Sequence, residues 1–477
     1  MNGATKLLAS LTGAAAGTYA AGLRWVNGGH RDGEPPLVPG SLPYLGTALP
    51  FGRDATSFLQ QCRREHGDVF TLFVAGRRMT FVCDPRSYPA VLRNPALQFE
   101  PFVDQFLARS FDLPNAHQQY DVAGSEVLAR KHLRGKDLGD LSERMSIEVH
   151  RVLDRMLDER LAGDGGEVDL YRLVRDVVFG AGTQVVFGEG IACPHFARAF
   201  EDFDEQLPAL VAGVPKVMTR RGRGALRVLA DSLAELGRAP SQWMRVRAPL
   251  LEAMTPPLRG RAQATVLWAL HANTIPAAFW TLAHVLADAE ASAAVGRELS
   301  HVLGDHDGPL ARDRIDALVV IDGAAREALR LSAGSLTVRR AVEPVTLQLR
   351  SGTWSLRAGD EVCLAPQVTH HDPSVFEQPE HFVFDRFAAD GPGHGAREHD
   401  GEPSAFSFMP FGAGKHLCPG RFFALNEIKI VVAALLGRLR LGPITEPLPQ
   451  YDRRRVGLGV FTPKHDLRVR WSRPSAR

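Results

Sequence analysis

A chain of 477 residues is long enough for two or three average domains or one large enzyme domain, and with 45% hydrophobic and 23% charged residues it has the composition of an ordinary globular protein. Lys plus Arg number 56 against 54 Asp plus Glu, a net charge of +2, which argues against nucleic acid as a main partner because phosphate binding shows as a basic excess. The five cysteines (Cys62, Cys83, Cys193, Cys363 and Cys418) are odd in number, scattered and without a CxxC pair, so a disulfide framework and a structural zinc site are both disfavoured and a reducing compartment fits.

In chain order, the first feature is Leu7 to Leu23, an uncharged run of 17 residues between Lys6 and Arg24. It is rich in Ala, Gly and Thr and sits at the lower limit of length for a membrane span, so it is a candidate anchor, with a solvated tail as the alternative. A cleaved signal peptide agrees less well with the cysteine pattern. Pro35, Pro36, Pro39 and Pro43 then define a stiff polyproline-like stretch that no helix tolerates. Together these features suggest an N-terminal segment at 1–32 and one large domain at 33–477, with no internal repeat.

Most of that domain reads as helix. Ser142 to Leu161 places Met145, Val149, Val152, Leu153 and Met156 on one face at 3- and 4-residue spacing. Gln263 to Leu286 reads as a long, mostly buried helix, and Phe422 to Leu436 as an amphipathic one. Strand patterns are fewer: Val69–Phe73, Thr80–Cys83, Val345–Leu349 and Glu361–Leu364. Ala388 to Pro403, rich in Gly, Asp and His, reads as an exposed insertion. The fold class is mainly α with minor β. The basic runs Arg220–Arg223 and Arg453–Arg455 read as solvated faces, with docking surfaces as the alternative. His370 and His371 are adjacent on a predicted loop, which makes them poor ligands for one metal ion.

The strongest local signal lies between Phe408 and Gly420. Gly412, Gly414 and Gly420 permit turns that a Cβ resists, and Pro419 reads as the first residue of the following helix. Cys418 thus sits on a constrained loop ahead of a helix N-terminus, where backbone N–H groups and the helix dipole favour a thiolate. A thiolate on a tight loop that lets a flat ligand approach suits axial ligation of heme iron. Two alternatives compete. Gly414-Lys415 resembles the end of a phosphate loop, but Met409 stands where its first glycine belongs and His416 where its Ser or Thr belongs. An inert buried thiol remains the plain reading.

Phe411 to Gly420 matches the pattern FxxGxxxCxG, and the chain resembles the cytochrome P450 superfamily. The resemblance implies a mainly helical fold with a long central helix over heme b and a small β-rich lobe, with Cys418 as axial ligand of the iron and Phe411, Gly412 and His416 beside it. His416 stands where most members have Arg. Glu327 and Arg330, three residues apart and on one helical face, resemble the family's structural pair, and Arg386 in Phe384–Phe387 its third member. Arg339 falls where members place a propionate ligand. Arg130 is the candidate for the second propionate, although the usual Trp-x-x-x-Arg pattern is missing there.

On the central helix the family's acid and alcohol are replaced by Ile275 and Pro276, and Pro276 predicts a kink by crowding the carbonyl of Ala272. Asn273, Thr274, Ile275 and Pro276, with Glu327–Arg339 and Gly457–Gly459, resemble the sterol 7α-hydroxylase, sterol 12α-hydroxylase and prostacyclin synthase subgroup. The resemblance implies a monooxygenase for a large apolar substrate (a sterol, terpenoid or other lipid), using O2 and electrons from a separate ferredoxin or flavoprotein reductase, with Asn273 and Thr274 carrying the proton chemistry. A peroxide isomerase needing no reductase and a non-catalytic heme-dependent lipid binder are the alternatives. The implied pocket contains Phe102, Phe106, Phe111, Trp268, Leu336 and Leu458. The implied location is a membrane facing the cytoplasm, or the cytoplasm itself.

Overall fold

The β-branched stretches pair as their pattern predicts. In the computed structural model, which describes residues 18–23, 26–159, 161, 163–304, 308–388 and 406–473, β1 (Val69–Val74) and β2 (Arg77–Val82) form an antiparallel hairpin. Its two-residue turn, Ala75-Gly76, has positive φ at both positions (47° and 82°), the geometry that matches the strands' twist. β2 pairs in parallel with β5 (Glu361–Leu364), β5 antiparallel with β4 (Thr337–Ala341), and β4 with the short β3 (Leu97–Gln98). This sheet sets Arg339 opposite Val362 in the β4–β5 register. The early part of the Leu7–Leu23 run, through residue 17, and the insertion from residue 389 to 405 lie outside the described residues. No helix among the described residues is long and apolar enough to cross a membrane.

The helices that build the site are α1 (Glu100–Phe111), α2 (Val122–His132), α3 (Gly135–Glu159), α4 (Leu170–Phe187), α5 (Pro194–Val211), α6 (Arg220–Leu233), α7 (Pro256–His271), α8 (Thr274–Ala287), α9 (Ala289–Leu303), α10 (Val319–Ser332) and α11 (Arg421–Arg438). α3 buries the predicted face, including Met145, Val149 and Leu153. α11 departs from expectation. It is not amphipathic: Ile428 through Leu435 are all buried, because α3, α8 and α10 pack around it. A helix apolar on every side belongs at the centre of a protein. Its first residue is Arg421 with Gly420 at the N-cap, so Pro419 lies just outside it and is not its first residue.

The central helix is also not continuous. α7 ends at His271, Ala272 and Asn273 form a turn, and α8 begins at Thr274. The break falls four residues before Pro276, whose nitrogen has no hydrogen to give the Ala272 carbonyl. The next N–H, of Ala277, reaches the Asn273 carbonyl at 3.1 Å. The Thr274 hydroxyl donates to the Leu270 carbonyl at 2.8 Å, a back-bond that bends helices.

Candidate active site

The break in the central helix opens onto a cavity of about 310 Å³, at the lower end of the range of small-molecule sites. Its lining comes from seven places: Phe99 just before α1; Trp268, Ala269, Asn273, Thr274 and Ala277 on α7 and α8; Leu329 on α10; Ser335, Leu336, Thr337 and Arg339 at the start of β4; Pro410 through Ala413, His416 and Cys418 on one loop; Ala424 and Ile428 on α11; and Gly457 through Val460 on the C-terminal turn. Five of the six residues assigned to the cofactor (Cys418, Phe411, Gly412, His416 and Arg339) meet here.

Cys418 is held by its own N–H, which donates to the Phe411 carbonyl at 3.0 Å. Burial pushes its thiol above the ordinary value, while the N–H groups of Gly420 and Arg421 and the Arg421 charge pull the other way. Helix-end dipoles alone thus do not make a thiolate here; a cation against the sulfur would. Gly412 needs its φ of +73°, and a Cβ there would have only Thr337 Oγ1 nearby, at 3.9 Å, so the backbone faces open cavity.

Arg339 is 4% exposed and uses one of its five donors, toward the carbonyl of Val338, while its guanidinium lies 5.0 Å from the ring centre of Phe99. Burial pulls its pKa down, with Glu100 the opposing charge. No ion pair holds it among the described residues. His416 lies tilted against the same Phe99 ring at 4.7 Å; its Nε2 completes no hydrogen bond, and the imidazole stands 3.8 Å from the Glu100 carboxylate and 3.7 Å from that of Glu126. A buried guanidinium with unused donors and a neighbouring imidazole at one edge of the cavity, and a cysteine sulfur on its floor, fit a flat cofactor that carries carboxylates and a metal ion.

Arg130 does not join them. Its side chain pairs with Glu126 at 3.4 Å and with the Lys415 carbonyl, and it does not line the cavity. Of the predicted pocket residues, Trp268, Leu336 and Leu458 line it. Phe106 and Phe111 stand one layer back, their rings 5.7 and 6.3 Å from that of Trp268, and Phe102 packs on Phe99 at 6.0 Å. Aromatic spacing on α1 could not distinguish the first layer from the second.

Asn273 and Thr274 both line the cavity, but Asn273 is committed: its Oδ1 accepts the Val460 N–H at 2.9 Å. Gly459 passes so close that a Cβ would lie 1.9 Å from that oxygen. Asn273 therefore holds the C-terminal turn. A second clasp lies at the turn's other end. Arg455 donates to both carboxylate oxygens of Asp204 on α5, at 2.8 and 3.0 Å, and the Trp268 indole N–H donates to the same carboxylate at 2.9 Å. The run Arg453–Arg455 is thus a solvated face only in part: Arg454 is exposed, pairing with Asp452, while Arg453 pairs with Asp54 and Arg455 is buried. Arg220–Arg223 is largely committed too, Arg221 to Asp202 and Glu205 and Arg223 to Asp112.

Glu327, Arg330 and Arg386 lie outside the cavity and satisfy one another. Arg330 reaches both Glu327 oxygens at 2.8 Å, Arg386 Nε both at 3.0 Å, and the Val383 N–H one of them at 3.1 Å. Two buried groups escaped sequence reading. Glu427 on α11 and His271 at the end of α7 are fully buried; burial pushes the Glu427 carboxyl well up and the His271 imidazole down to about 3. The sequence signal was weak: His271 is a lone polar residue after an apolar run, and Glu427 sits between Asn426 and Lys429 like an ordinary solvated position.

Comparison with known proteins agrees with this geometry. The family model for cytochrome P450 matches residues 35–216 and 261–469. The chain is 32% identical over 470 residues to cytochrome P450 7B1 of Mus musculus, covering 94% of this chain and 92% of the relative. It is 30% identical to cholesterol 7-alpha-monooxygenase of Cricetulus griseus (92% and 93% covered) and 33% identical to prostacyclin synthase of Homo sapiens (92% and 94% covered). The chain belongs to the cytochrome P450 family, and is an enzyme of the P450 monooxygenase class with heme b as its cofactor.

Proposed function

We propose that this cytochrome P450 is a heme-thiolate monooxygenase that hydroxylates a large apolar substrate (a sterol, terpenoid or other lipid) with O2 and electrons from a separate redox protein. The observation that carries the reading is that Cys418 and the Thr274 hydroxyl line one cavity whose remaining walls are mostly apolar. Heme bound there would be held by Cys418 through its iron and would supply dioxygen activation. The chain's own residues do the rest. Arg339 and His416 hold the cofactor's carboxylates, Trp268, Leu336 and Leu458 exclude water and orient the substrate, and Thr274 carries a proton at its hydroxyl. Glu327, Arg330 and Arg386 serve as scaffold.

The prostacyclin synthase relative and the loss of the acid–alcohol pair to Ile275 and Pro276 support a second reading, rearrangement of a lipid peroxide. One assay separates the two. The purified protein is offered sterols with O2 and a ferredoxin or flavoprotein reductase, and separately lipid hydroperoxides and endoperoxides without electrons. Hydroxylated product that requires electrons supports the proposal. Peroxide rearrangement alone supports the isomerase, and binding without turnover in either arm a lipid carrier or sensor. Membrane association through Leu7–Leu23 belongs to the same proposal, and fractionation of the full chain against one lacking residues 1–32 reads it.

A further inference from the structure

We propose that a second cavity, behind the stems of the C-terminal turn, binds a small anionic amphiphile: a carboxylate carried on a flat apolar body. Such a site is separate from the hydroxylation chemistry and does not depend on which substrate enters the first cavity. The second cavity is the larger of the two, about 830 Å³, and falls within the size range of small-molecule sites. The short helix Ala48–Arg53 closes one side of it with Arg53, α8 supplies Trp280 and His284, and residues 448–454 with Lys464 form the opposite side.

Its inner wall is aromatic. Trp280 and His284 are four residues apart on α8 and so share a face. The Tyr451 ring meets that of Trp280 edge-on at 4.6 Å, and Leu448 and Pro449 extend the apolar surface. His284 adds no charge, because burial keeps its imidazole neutral down to about 4. The rim is basic. Asp54 and Asp452 are its acids, and each already has an arginine: Asp54 pairs with Arg453 at 2.9 Å and Asp452 with Arg454 at 2.6 Å. Two cations are left over. The Arg53 guanidinium has no partner among the described residues, and the Lys464 ammonium donates to the Gln450 side-chain amide at 2.8 Å, not to an acid. Unpaired cations beside an aromatic wall suit an anion on a flat body, with the charge at the rim and the body on the wall.

The same residues reach the first cavity. Residues 450–452 and 462–464 run antiparallel as the two stems of the C-terminal turn: the Asp452 N–H donates to the Thr462 carbonyl at 2.7 Å and the Lys464 N–H to the Gln450 carbonyl at 2.9 Å. The tip between the stems, Gly457 through Val460, lines the first cavity. Trp280 joins the two. It packs on Tyr451 in the second cavity, and its indole N–H donates at 2.7 Å to the carbonyl of Phe461, the residue after Val460. Phe461 is fixed in turn, since its ring lies so close to Gly334 that no Cβ fits there. An occupant of the second cavity thus touches the stems whose tip walls the first, and alters affinity there through Trp280 and Phe461.

The test uses the heme-loaded full chain and two probes: pyrenebutyrate for the second cavity, and phenylimidazole, a heme ligand read by its absorption shift, for the first. In equilibrium dialysis pyrenebutyrate should bind and stay bound when phenylimidazole saturates the heme. Arg53→Glu combined with Lys464→Glu should weaken it about tenfold or more in low salt, and neutral pyrenebutanol should bind the wild type comparably weakly. Both replaced side chains are exposed, so the double variant should melt as the wild type does. Bound pyrenebutyrate should change the phenylimidazole affinity severalfold, and phenylimidazole should change that of pyrenebutyrate by the same factor, because coupling is reciprocal. The site is overturned if pyrenebutyrate does not bind, or if the double variant binds it as the wild type does. Displacement that grows without limit as phenylimidazole rises also overturns it, since that is the mark of one shared cavity. A phenylimidazole affinity indifferent to pyrenebutyrate overturns the link through Trp280.

Discussion

Two fully buried glutamates lie within the same helical core and are treated in opposite ways. Glu327 on α10 receives two guanidinium groups and a backbone N–H, so each oxygen is occupied. Glu427 on α11 completes no well-formed hydrogen bond among the described residues, with Thr274 the polar side chain acting on its carboxyl. The first is a charge held in place by complete satisfaction, which makes it rigid and silent. The second is an acid that burial keeps neutral one residue from a cavity-lining position. Burial of a carboxyl thus says little about its role until its partners are counted.

The contrast is sharpest in stability. Glu327→Gln leaves Arg330 and Arg386 buried without their counter-charge and should cost about 3–5 kcal/mol, or prevent folding. Glu427→Gln removes no charge from the folded state and should stay within about 1 kcal/mol of wild type by thermal or denaturant melts. Equal losses in the two variants would erase the distinction. Asp204→Ala tests an intermediate case, since Arg455 is buried while Asp204 itself is only partly so. It should cost roughly 1–3 kcal/mol and weaken spectral binding of large ligands more than small ones, because it frees Trp268 and the C-terminal turn at the cavity wall. An unchanged ratio of large to small ligand affinities would reduce the clasp to scaffold.

The pH dependence follows from the buried histidines. His271 is held neutral down to about 3 and His284 down to about 4, and burial also drives His370 well down. In the unfolded chain each takes a proton near pH 6.5, so below that pH the unfolded state binds more protons and stability falls. The loss begins as pH drops through about 6.5 and, for His271, continues to about 3. Each such histidine contributes at most about 1.4 kcal/mol per pH unit, and His271→Gln should remove one of these slopes from melts taken between pH 7 and 5. The smallest structural effect belongs to Lys415, 74% exposed beside the cavity loop. Lys415→Glu should leave the melt unchanged and slow reduction by the redox partner several-fold in low salt; an unchanged rate would move docking elsewhere.

The loop around Cys418 and the Glu327–Arg330–Arg386 set were legible because each is a dense pattern of unusual residues over a short span. The strands Val345–Leu349 and Glu361–Leu364 were legible because each is a short alternating or apolar stretch bounded by turns. Other features are tertiary facts with no local trace. The Asp204–Arg455 clasp joins residues far apart in the chain, and Arg455 reads as one more surface arginine in a basic run. Phe102, Phe106 and Phe111 carry the right chemistry, but layer depth depends on how α1 packs against Trp268. Glu427 was in plain view within Phe422–Leu436, yet an acid in a helix taken for amphipathic looks solvated until α3, α8 and α10 close around it.

The most direct test of the central claim is the absorption spectrum of the reduced protein under carbon monoxide, recorded for wild type and Cys418→Ser. A red-shifted thiolate band in the wild type, lost in the variant while heme remains bound, is the result expected. Protein without heme, or a band unchanged by Cys418→Ser, would contradict the assignment of Cys418 and the reading built on it.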